Sequence, residues 1–355
     1  MSDNVELIKA LESEDERDRA FAVEDIVYEG VPNCIELLVK QLKIEKSQYV
    51  REVIVRNLKT LPGIEMVEKI IPLLRSDDAF IRNAVIDIIA EQDEEAISLL
   101  RPLLKDEDKD VRKFVLDILF LLNSPFSAAM IAEALEDNDI NMVITAVEYL
   151  GRMEARGVAP QVNDLFTKTK NILLRCTCLE SLALLGDEKS LDIVSQFYAD
   201  PGAIADLELY SYLKFLAKKG KEEYLPWVIS LTKTKGQIMA KEIINTIEGI
   251  LERAMLTVLS DGMVQALSDY IASNINPINK YELLIFLGQF KNPEILPLLL
   301  EYTKSSEKLL CLGSVEALGL YGKKEGLDSL KELANQVEDD EILEAIEKSI
   351  NQIGR

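Results

Sequence analysis

Residues 103–122, LLKDEDKDVRKFVLDILFLL, show how the whole chain is built. An apolar end is followed by an acidic turn from Asp106 to Asp110, and then by apolar residues at offsets 0, 3, 4, 7, 8 and 11 from Val111. This spacing places the apolar side chains on one face of an α-helix. The stretch therefore predicts the end of one helix, a tight acidic turn and a second, amphipathic helix.

The same pattern returns along the chain at a nearly constant interval. Arg112 stands one residue into the second helix of this stretch. The equivalent positions elsewhere are Arg19, Arg51, Arg82, Val143, Arg175, a position near Leu207 to Tyr210, Lys241, Lys280, Cys311 and Leu343. The first five intervals are 32, 31, 30, 31 and 32 residues, and a period of this length is typical of a solenoid of helix pairs. We therefore expect an all-α fold, an α-solenoid superhelix of about eleven helix pairs.

The spacing also predicts how the chain is divided. We expect a single continuous domain over residues 1–355, with a regular array over 1–187 and a less regular array over 188–355. The interval from Lys241 to Lys280 is 39 residues, which predicts an insertion around residues 252–279. Several glycines, Gly186, Gly288 and Gly322 among them, are expected to end second helices, because glycine is favoured just beyond a helix C-terminus.

The charge and the cysteine content narrow the class of function. A net charge of −22 argues against nucleic acid and against anionic membrane surfaces as partners. The acidic N-terminal stretch has no apolar core of a secretory signal, and no run of about 18 uncharged apolar residues exists. Four cysteines in 355 residues do not make a disulfide framework, so we predict a cytoplasmic protein.

Most familiar catalytic chemistries are disfavoured by the composition. The chain has no histidine, which removes the commonest general base and the usual metal ligand. Cys176 and Cys178 would point about 200° apart on a helix and could not chelate one metal ion together. We predict no catalytic residue, no metal site and no cofactor.

The turn and the helix ends resemble those of the HEAT-repeat family, particularly the bacterial HEAT-like repeats named after phycobiliprotein lyases. The resemblance is carried by Asp108-Lys109-Asp110-Val111-Arg112, Asp78-Ala79-Phe80-Ile81-Arg82, Tyr149-Leu150-Gly151 and Ala317-Leu318-Gly319. It covers nearly the entire chain, and it is specific for the fold rather than for one function. It implies that turn aspartates and the arginine series form a hydrogen-bonded ladder between units, and that second helices line the concave side. Val143, Lys241, Lys280, Cys311 and Leu343 depart from the arginine pattern.

A mostly acidic series follows five residues after each of the first six anchors. Its members are Glu24, Arg56, Asp87, Asp117, Glu148 and Glu180. Five helical residues turn about 140° from the anchor, so these groups share another face of the second helices. One interpretation is a solvated helix face. The other is a groove for a basic segment or helix, which would relieve the repulsion between the carboxylates.

Aromatic residues concentrate in the middle of the chain. Seven of the 22 lie in about a tenth of the sequence: Phe197, Tyr198, Tyr210, Tyr212, Phe215, Tyr224 and Trp227. They form either core or an exposed patch of the kind found at interface hot spots. Lysines nearby, from Lys214 to Lys241, make the region mildly basic, which leaves an anion or acidic-peptide site as a third interpretation.

Our leading functional hypothesis is a non-enzymatic protein-binding scaffold or adaptor that uses the concave face of the solenoid. The predicted partner contacts are Asp87, Asp117, Glu148, Glu180, Tyr210, Tyr212 and Trp227. One alternative is an enzyme-helper or lyase-like protein that holds a chromophore or cofactor, which rests on the family resemblance alone. A HEAT-type DNA glycosylase is a further alternative, but such an enzyme needs a basic groove.

Overall fold

A computed structural model describes residues 2–61, 63–200, 202, 204–273 and 275–354. These residues form 22 α-helices and no β-strand. The helices are α1 (Ser2–Ala10), α2 (Glu16–Tyr28), α3 (Cys34–Ile44), α4 (Gln48–Lys59), α5 (Ile64–Ile70), α6 (Ala79–Ile89), α7 (Glu94–Ile97), α8 (Lys109–Leu122), α9 (Pro125–Ala132), α10 (Ile140–Arg152), α11 (Ala159–Lys168), α12 (Ile172–Leu185), α13 (Glu188–Phe197), α14 (Asp206–Lys219), α15 (Leu225–Lys235), α16 (Ala240–Ala254), α17 (Asp261–Ala272), α18 (Pro277–Gly288), α19 (Ile295–Tyr302), α20 (Lys308–Tyr321), α21 (Glu325–Ala334) and α22 (Asp340–Ile353).

Short 3-10 segments adjoin five of the odd-numbered helices. They are Ile71–Arg75, Ser98–Lys105, Glu133–Glu136, Arg156–Val158 and Glu222–Tyr224. Pro72 and Pro102 lie inside the first two of these segments. Proline has no backbone N–H to donate, so the regular α-helix stops before it and the tighter 3-10 turn continues the chain.

The helices form eleven consecutive pairs in the described part of the chain. Every predicted anchor position lies in an even-numbered helix, from Arg19 in α2 to Leu343 in α22. The prediction of an all-α solenoid of about eleven helix pairs is therefore confirmed.

Helix α8 shows why the repeated pattern folds in this way. The Asp108 side chain accepts a hydrogen bond from the Asp110 amide at 2.9 Å and starts the helix. Val111, Val115 and Ile118 of the predicted stripe are then buried. The helix ends at Asn123, whose φ of 45° is left-handed and stops further helical hydrogen bonding.

The pairs group into two compact units, residues 1–164 and residues 165–355. The boundary falls within α11. Each unit has its own buried aliphatic core, which includes Ile54 and Val85 in the first unit and Leu213 and Leu287 in the second. The single continuous domain expected from the sequence stays a prediction.

Residues 252–279, where the spacing predicts an insertion, hold a complete first helix. Helix α17 occupies Asp261–Ala272, and residues 255–260 connect it to α16. Asn292 binds this connection at two points: its side-chain oxygen accepts from the Leu259 amide at 2.8 Å, and its side-chain nitrogen donates to the Leu259 carbonyl at 2.7 Å. Part of the extra length of the 39-residue interval is therefore the connection over residues 255–260, which Asn292 holds by hydrogen bonds.

Candidate interaction surfaces

The arginine series forms a hydrogen-bonded ladder between consecutive helix pairs. Each of its five members donates to a backbone carbonyl six residues earlier, in the turn that precedes its own helix. The bonds are Arg19 to Ser13 (2.8 Å), Arg51 to Glu45 (2.7 Å), Arg82 to Ser76 (2.6 Å), Arg112 to Asp106 (2.7 Å) and Arg175 to Thr169 (2.6 Å). One guanidinium has enough donors to satisfy this carbonyl and a second acceptor at the same time.

Four of these arginines also bind a carboxylate of the next pair. The partners are Glu45 for Arg19, Asp78 for Arg51, Asp137 for Arg112 and Glu208 for Arg175. Arg82 differs, because Arg75 holds Asp106 and Asp108 of the following turn. The structural interpretation of the arginine series, a ladder that joins neighbouring units, is therefore confirmed.

The first rung is the most deeply buried. The Glu45 side chain is only 2% exposed and accepts two hydrogen bonds from Arg19, at 2.8 and 2.9 Å. Burial alone would raise the pKa of the Glu45 carboxyl, but the bonds from Arg19, the Ser47 amide and Gln41 lower it to about 2. This carboxylate is therefore held in its charged form for a structural purpose.

The predicted acidic series lies along the even-numbered helices, but most of its charges are compensated within the protein. Glu24 pairs with Arg56 at 3.6 Å, and Glu148 pairs with Arg152 at 3.5 Å. Asp117 accepts from Lys113 and from the Tyr149 hydroxyl, and Glu180 lies 3.2 Å from Lys214. Asp87 is exposed and has neither a hydrogen bond nor an ion pair with any residue that the structure describes. The sequence analysis expected the carboxylates of this series to be unpaired and to repel one another. This expectation is wrong for Glu24, Asp117, Glu148 and Glu180, each of which has a cation partner within the protein.

We use the name acidic face for the side of α2, α4, α6, α8 and α10 that carries Glu24, Arg56, Asp87, Asp117 and Glu148. Large apolar side chains are exposed on the same side of these helices. Phe21 is 62% exposed and Tyr28 is 86% exposed, and they flank Glu24 on α2 at helical spacing. Leu121, four residues after Asp117 on α8, is 55% exposed. The sequence pattern of charges alone did not reveal these apolar groups.

A stacked group of rings and cations lies at the α8 and α10 end of the acidic face. Phe120 and Tyr149 stack with their ring centroids 4.3 Å apart. Arg152 lies 4.7 Å from the Phe120 centroid, and Lys113 lies 5.4 Å from that of Tyr149. Burial and the Asp117 carboxylate both raise the pKa of the Tyr149 hydroxyl, so it stays protonated and donates its hydrogen bond. This arrangement presents fixed, partly exposed rings between α8 and α10.

Three of the seven residues of the aromatic cluster predicted in the middle of the chain are core: Tyr198, Tyr212 and Phe215. Tyr198 and Tyr212 are buried with ring centroids 4.8 Å apart, and burial raises the pKa of both hydroxyls. Trp227 packs against Tyr212 at 5.7 Å and is half-buried. Because Tyr212 is only 2% exposed, the predicted direct contact between it and a partner is wrong.

Tyr210, like Phe197, is a member of the cluster that remains exposed. It is partly exposed, and the Lys214 ammonium lies 4.5 Å from its ring centroid. Lys214 also pairs with Glu180, so Glu180, Lys214 and Tyr210 form one accessible group on α12 and α14. Tyr210 and Trp227 therefore remain accessible candidates for partner contact.

The lysines of the middle region contribute to a pocket of about 620 Å³ at the C-terminal ends of α12 and α14. Its cations are Lys218, Lys219, Lys221 and Arg253, and its acids are Asp187, Glu188 and Glu222. Arg253 donates to the carbonyls of Ala217 (2.6 Å), Leu216 (3.0 Å) and Gly220 (2.7 Å). Lys219 donates to the Gly186 carbonyl at 2.7 Å. These contacts place positive charge at the negative ends of two helices, which is a structural use of the cations.

Three of the four cysteines, Cys176, Cys178 and Cys311, are buried. All four cysteines are free, and burial raises the pKa of the Cys178 thiol to about 12. Such a thiol is a poor nucleophile and a poor ligand. Across the described residues, no three or more Cys, Asp or Glu side chains are arranged to hold a metal ion. Each helix in the same part of the chain is too short or too polar to cross a bilayer.

Comparison with known proteins agrees with this architecture. A family model for HEAT repeats matches residues 264–351, which cover most of α17, all of α18 to α21 and most of α22. This match lies in the half of the chain where the arginine pattern is lost. A comparison with curated proteins found no relative.

Solved structures share the fold at low sequence identity. Kap121p bound to Nup53p is 14% identical with a TM-score of 0.56, and Kap121p bound to Pho4p is 13% identical with a TM-score of 0.58. Each alignment covers 98% of this chain and 45% of Kap121p, so the chain spans less than half of that protein. YibA of Escherichia coli is 16% identical with a TM-score of 0.52, over 79% of this chain and 98% of YibA. Together with the ladder and the eleven pairs, these likenesses show that the chain has the fold of a HEAT-type α-solenoid, and residues 264–351 match the HEAT-repeat family model.

Proposed function

We propose that the protein is a non-enzymatic, cytoplasmic protein-binding scaffold or adaptor, and that its acidic face binds a basic segment or helix of a partner. The observation that supports this best is the exposure of Phe21, Tyr28 and Leu121 among the carboxylates of that face. Exposed aromatic and aliphatic groups of this size commonly mark sites of protein contact. Kap121p, which shares the fold, has been crystallised with the protein partners Nup53p and Pho4p.

The expected partner is amphipathic rather than merely basic. Exposed ion pairs such as Glu148 with Arg152 contribute at most about 1 kcal/mol, so a cation of the partner can replace the internal one at little cost. Apolar side chains of the partner would cover Phe21, Tyr28 and Leu121, which supplies the larger share of the affinity. Asp87 already lacks an internal cation and offers the strongest electrostatic contact.

The predicted contact residues divide between the two units. Asp87, Asp117 and Glu148 belong to the acidic face, whereas Glu180, Tyr210 and Trp227 belong to the second unit. We assign the primary contact to the acidic face, because the large exposed apolar groups accompany its carboxylates. The group around Tyr210 is a secondary contact in this proposal.

The proposal is tested by capturing partners from a lysate of the source organism with three purified proteins. They are the wild type, an acidic-face variant (Phe21→Ser, Tyr28→Ser, Asp87→Lys) and a control (Ile44→Ser, Ile64→Ser, Glu68→Lys). The control makes the same types of change at exposed positions on odd-numbered helices or beside them. Mass spectrometry should find partners that the wild type and the control retain and the acidic-face variant loses. An identical set of partners on all three proteins would contradict the proposal.

The cytoplasmic assignment has its own support. All four cysteines are free thiols, as expected for a protein of a reducing compartment. Fractionation of the source cells, followed by immunodetection of the protein, tests this part. Recovery outside the cytoplasm would overturn it without affecting the binding proposal.

A further inference from the structure

The turn that leads into α2 is built like the turn that leads into α6. Each has a serine, an aspartate two residues later and a ladder arginine six residues after the serine. The members are Ser13, Asp15 and Arg19 in the first turn, and Ser76, Asp78 and Arg82 in the second. In both turns the serine hydroxyl accepts from the aspartate amide at 3.2 Å, and one aspartate oxygen accepts from the amide two residues later at 2.8 Å. The arginine donates to the serine carbonyl in both. The two turns therefore offer the same groups to a neighbouring helix.

One contact distinguishes the two turns. The second carboxylate oxygen of Asp78 accepts from the Arg51 guanidinium of the preceding pair at 2.6 Å. The second carboxylate oxygen of Asp15 has no hydrogen bond or ion pair with any residue that the structure describes. Arg19, the cation of the same turn, is bound to Glu45 of the next pair. Asp15 therefore lacks the partner that its counterpart has.

The side of α2 next to this turn exposes an apolar position that other helices bury. Phe21, two residues after the anchor, is 62% exposed, whereas Val53 and Ala84 at the same position of α4 and α6 are 1% and 5% exposed. In α8 this position is Phe114, and the Arg82 guanidinium of the preceding pair lies 5.7 Å from its ring centroid. The position therefore faces the preceding pair where one is present, and in α2 it is open.

Two further side chains extend this open position along α2. Phe21, Asp25 and Tyr28 follow one another at i, i+4 and i+7, which places them in one stripe of the helix. Tyr28 is 86% exposed, and Asp25 is exposed without an ion pair to any described residue. We use the name outer stripe for Asp15, Phe21, Asp25 and Tyr28. It combines two aromatic rings with two unpaired carboxylates.

The charges around the outer stripe are predominantly negative. Residues 4–30 contain nine acidic and three basic side chains. Of the three cations, Arg19 is bound to Glu45. Lys9 and Arg17 are exposed and make no ion pair with a carboxylate that the structure describes. Charge complementarity therefore favours a cationic occupant even when every charge of this pair is counted.

We propose that α2 takes a helix of a partner protein as an additional neighbour, and that an arginine of this helix completes the ladder at Asp15. Its guanidinium binds the second Asp15 oxygen and lies against the Phe21 ring. Arg51 shows that one guanidinium can do both, because it binds Asp78 and lies 5.4 Å from the Phe80 ring centroid. The planar guanidinium suits this double role better than the compact ammonium of lysine.

This inference rests on the proposed function, because Phe21 and Tyr28 belong to the acidic face. It adds the structural class of the partner, a stacked amphipathic helix, and the residue that this helix must carry. Apolar side chains further along the partner helix would cover Tyr28, as packed helices meet at every third or fourth residue.

A second copy of this chain is a poorer occupant of the outer stripe. Its last described helix, α22, has Leu343 at the anchor position instead of an arginine. The exposed side chains of α22 include Glu344 and Glu347, and Lys348 is paired with Glu344 at 2.7 Å. Stacking α22 on α2 would therefore bring carboxylates towards carboxylates, which is unfavourable.

A peptide with the sequence of residues 47–61 is the probe, because it contains α4 and the arginine that binds Asp78. A hydrocarbon staple that replaces Val53 and Asn57, on the side of the helix away from Arg51, holds the peptide helical, and circular dichroism verifies this before use. Fluorescence anisotropy with the full-length protein should show saturable binding of the labelled peptide. Arg51→Gln in the peptide should weaken binding by at least about tenfold. Absence of saturable binding, or equal affinity for the two peptides, would overturn the proposal.

Variants of the protein locate the contact. Asp15→Asn removes the charge and keeps a good N-cap for α2, so affinity for the peptide should fall by at least about tenfold in a folded protein. The matched control is Asp139→Asn, which removes the same charge at the N-cap of α10, where Arg112 already binds the turn through Asp137. It should alter affinity by less than about twofold. Equal loss in the two variants would refute the assigned site.

Two further measurements separate this inference from its alternatives. Lysate partners that the acidic-face variant loses and Asp15→Asn retains in full amount would leave the proposed function intact and overturn the ladder contact. Sedimentation equilibrium should find the wild type and Asp15→Asn equally monomeric. A wild-type dimer that Asp15→Asn dissociates would make a second copy the occupant and would also overturn the proposal.

Discussion

The two units of the protein join neighbouring helix pairs by different means. In residues 1–164, arginines such as Arg51 and Arg112 connect the turns through carbonyls and carboxylates. In the second unit the ladder ends at Arg175, and helix backbones approach each other directly. A Cβ atom on Gly249 of α16 would lie 2.3 Å from the Ala217 carbonyl oxygen, and one on Gly288 of α18 would lie 2.5 Å from that of Ala317.

This difference shows that one repeat architecture can be stabilised by polar or by steric complementarity. At an anchor position without a guanidinium, a smaller group can bond to the turn instead. Cys311, for example, donates its thiol to the Thr303 carbonyl at 3.3 Å. Lys241 and Lys280, at the same anchor position, make no ion pair with any residue that the structure describes. The mode of packing thus determines which charges each unit exposes.

The largest effect is expected from breaking the buried rung of the ladder. Glu45→Gln leaves the Arg19 guanidinium partly buried without its counter-charge, and we expect the free energy of unfolding of the first unit to fall by about 3 kcal/mol. Urea unfolding followed by circular dichroism measures the loss. Glu36→Gln is the matched control, because Glu36 forms an exposed pair with Lys69 at 3.2 Å and should change stability by less than about 1 kcal/mol.

The same rung should make stability depend on pH. The pKa of Glu45 is lowered from 4.5 to about 2, so the folded state favours the charged form of this carboxyl. Its contribution is complete above pH 4.5 and is lost as the pH falls towards 2. The stability difference between the wild type and Glu45→Gln should therefore narrow over this range. A difference that stays constant down to pH 2 would show that the charge of Glu45 is not the cause.

A smaller loss is expected at the close helix contacts of the second unit. Gly288→Ala would force a methyl group against the backbone of α20, which should cost about 1–3 kcal/mol despite the better helix propensity of alanine. Gly262→Ala on α17 is the control, because no atom lies within 4 Å of the added methyl group and a slight gain is expected. Thermal unfolding compares the two variants. Equal midpoints would mean that Gly288 does not limit the approach of α18 and α20.

The smallest effect is expected at Glu248 on α16. Burial and the neighbouring Glu252 and Glu282 raise the pKa of its carboxyl, so the folded state favours the neutral form. Stability contributed by this group is present below pH 4.5 and is lost as the pH rises through the raised pKa. Glu248→Gln should therefore stabilise the protein at pH 7 by about 0.5 kcal/mol and have no effect near pH 4. A gain of the same size at both pH values in thermal unfolding would argue against this explanation.

The fold was largely predictable, because the apolar period of each second helix directly reflects which side is buried. Positions such as Val111 and Val115 therefore identified the eleven pairs correctly. The role of Gly288 was not predictable, since a glycine that ends a helix and a glycine that admits a neighbouring helix look alike in sequence. Gly322, with a φ of 71°, does serve as the expected helix end.

The candidate surfaces were predictable only in part. Asp117 and Glu148 each have a cation four residues away, Lys113 and Arg152, and this spacing could have indicated that their charges are compensated. The pairing of Glu180 with Lys214 depends on how two helices are aligned, which the sequence does not specify. Aromatic composition alone could not distinguish the buried Tyr212 from the exposed Tyr28.

Hydrogen exchange measured by mass spectrometry tests the difference between the units most directly. Two double variants are compared with the wild type: Arg51→Met with Arg112→Met, and Gly249→Ala with Gly288→Ala. We predict that the first accelerates exchange in α3 to α10 and leaves α14 to α22 unchanged, whereas the second accelerates exchange in α14 to α20 and leaves the first unit unchanged. Faster exchange throughout the chain in either variant would contradict the account, because it would mean that the two units do not depend on separate sets of contacts.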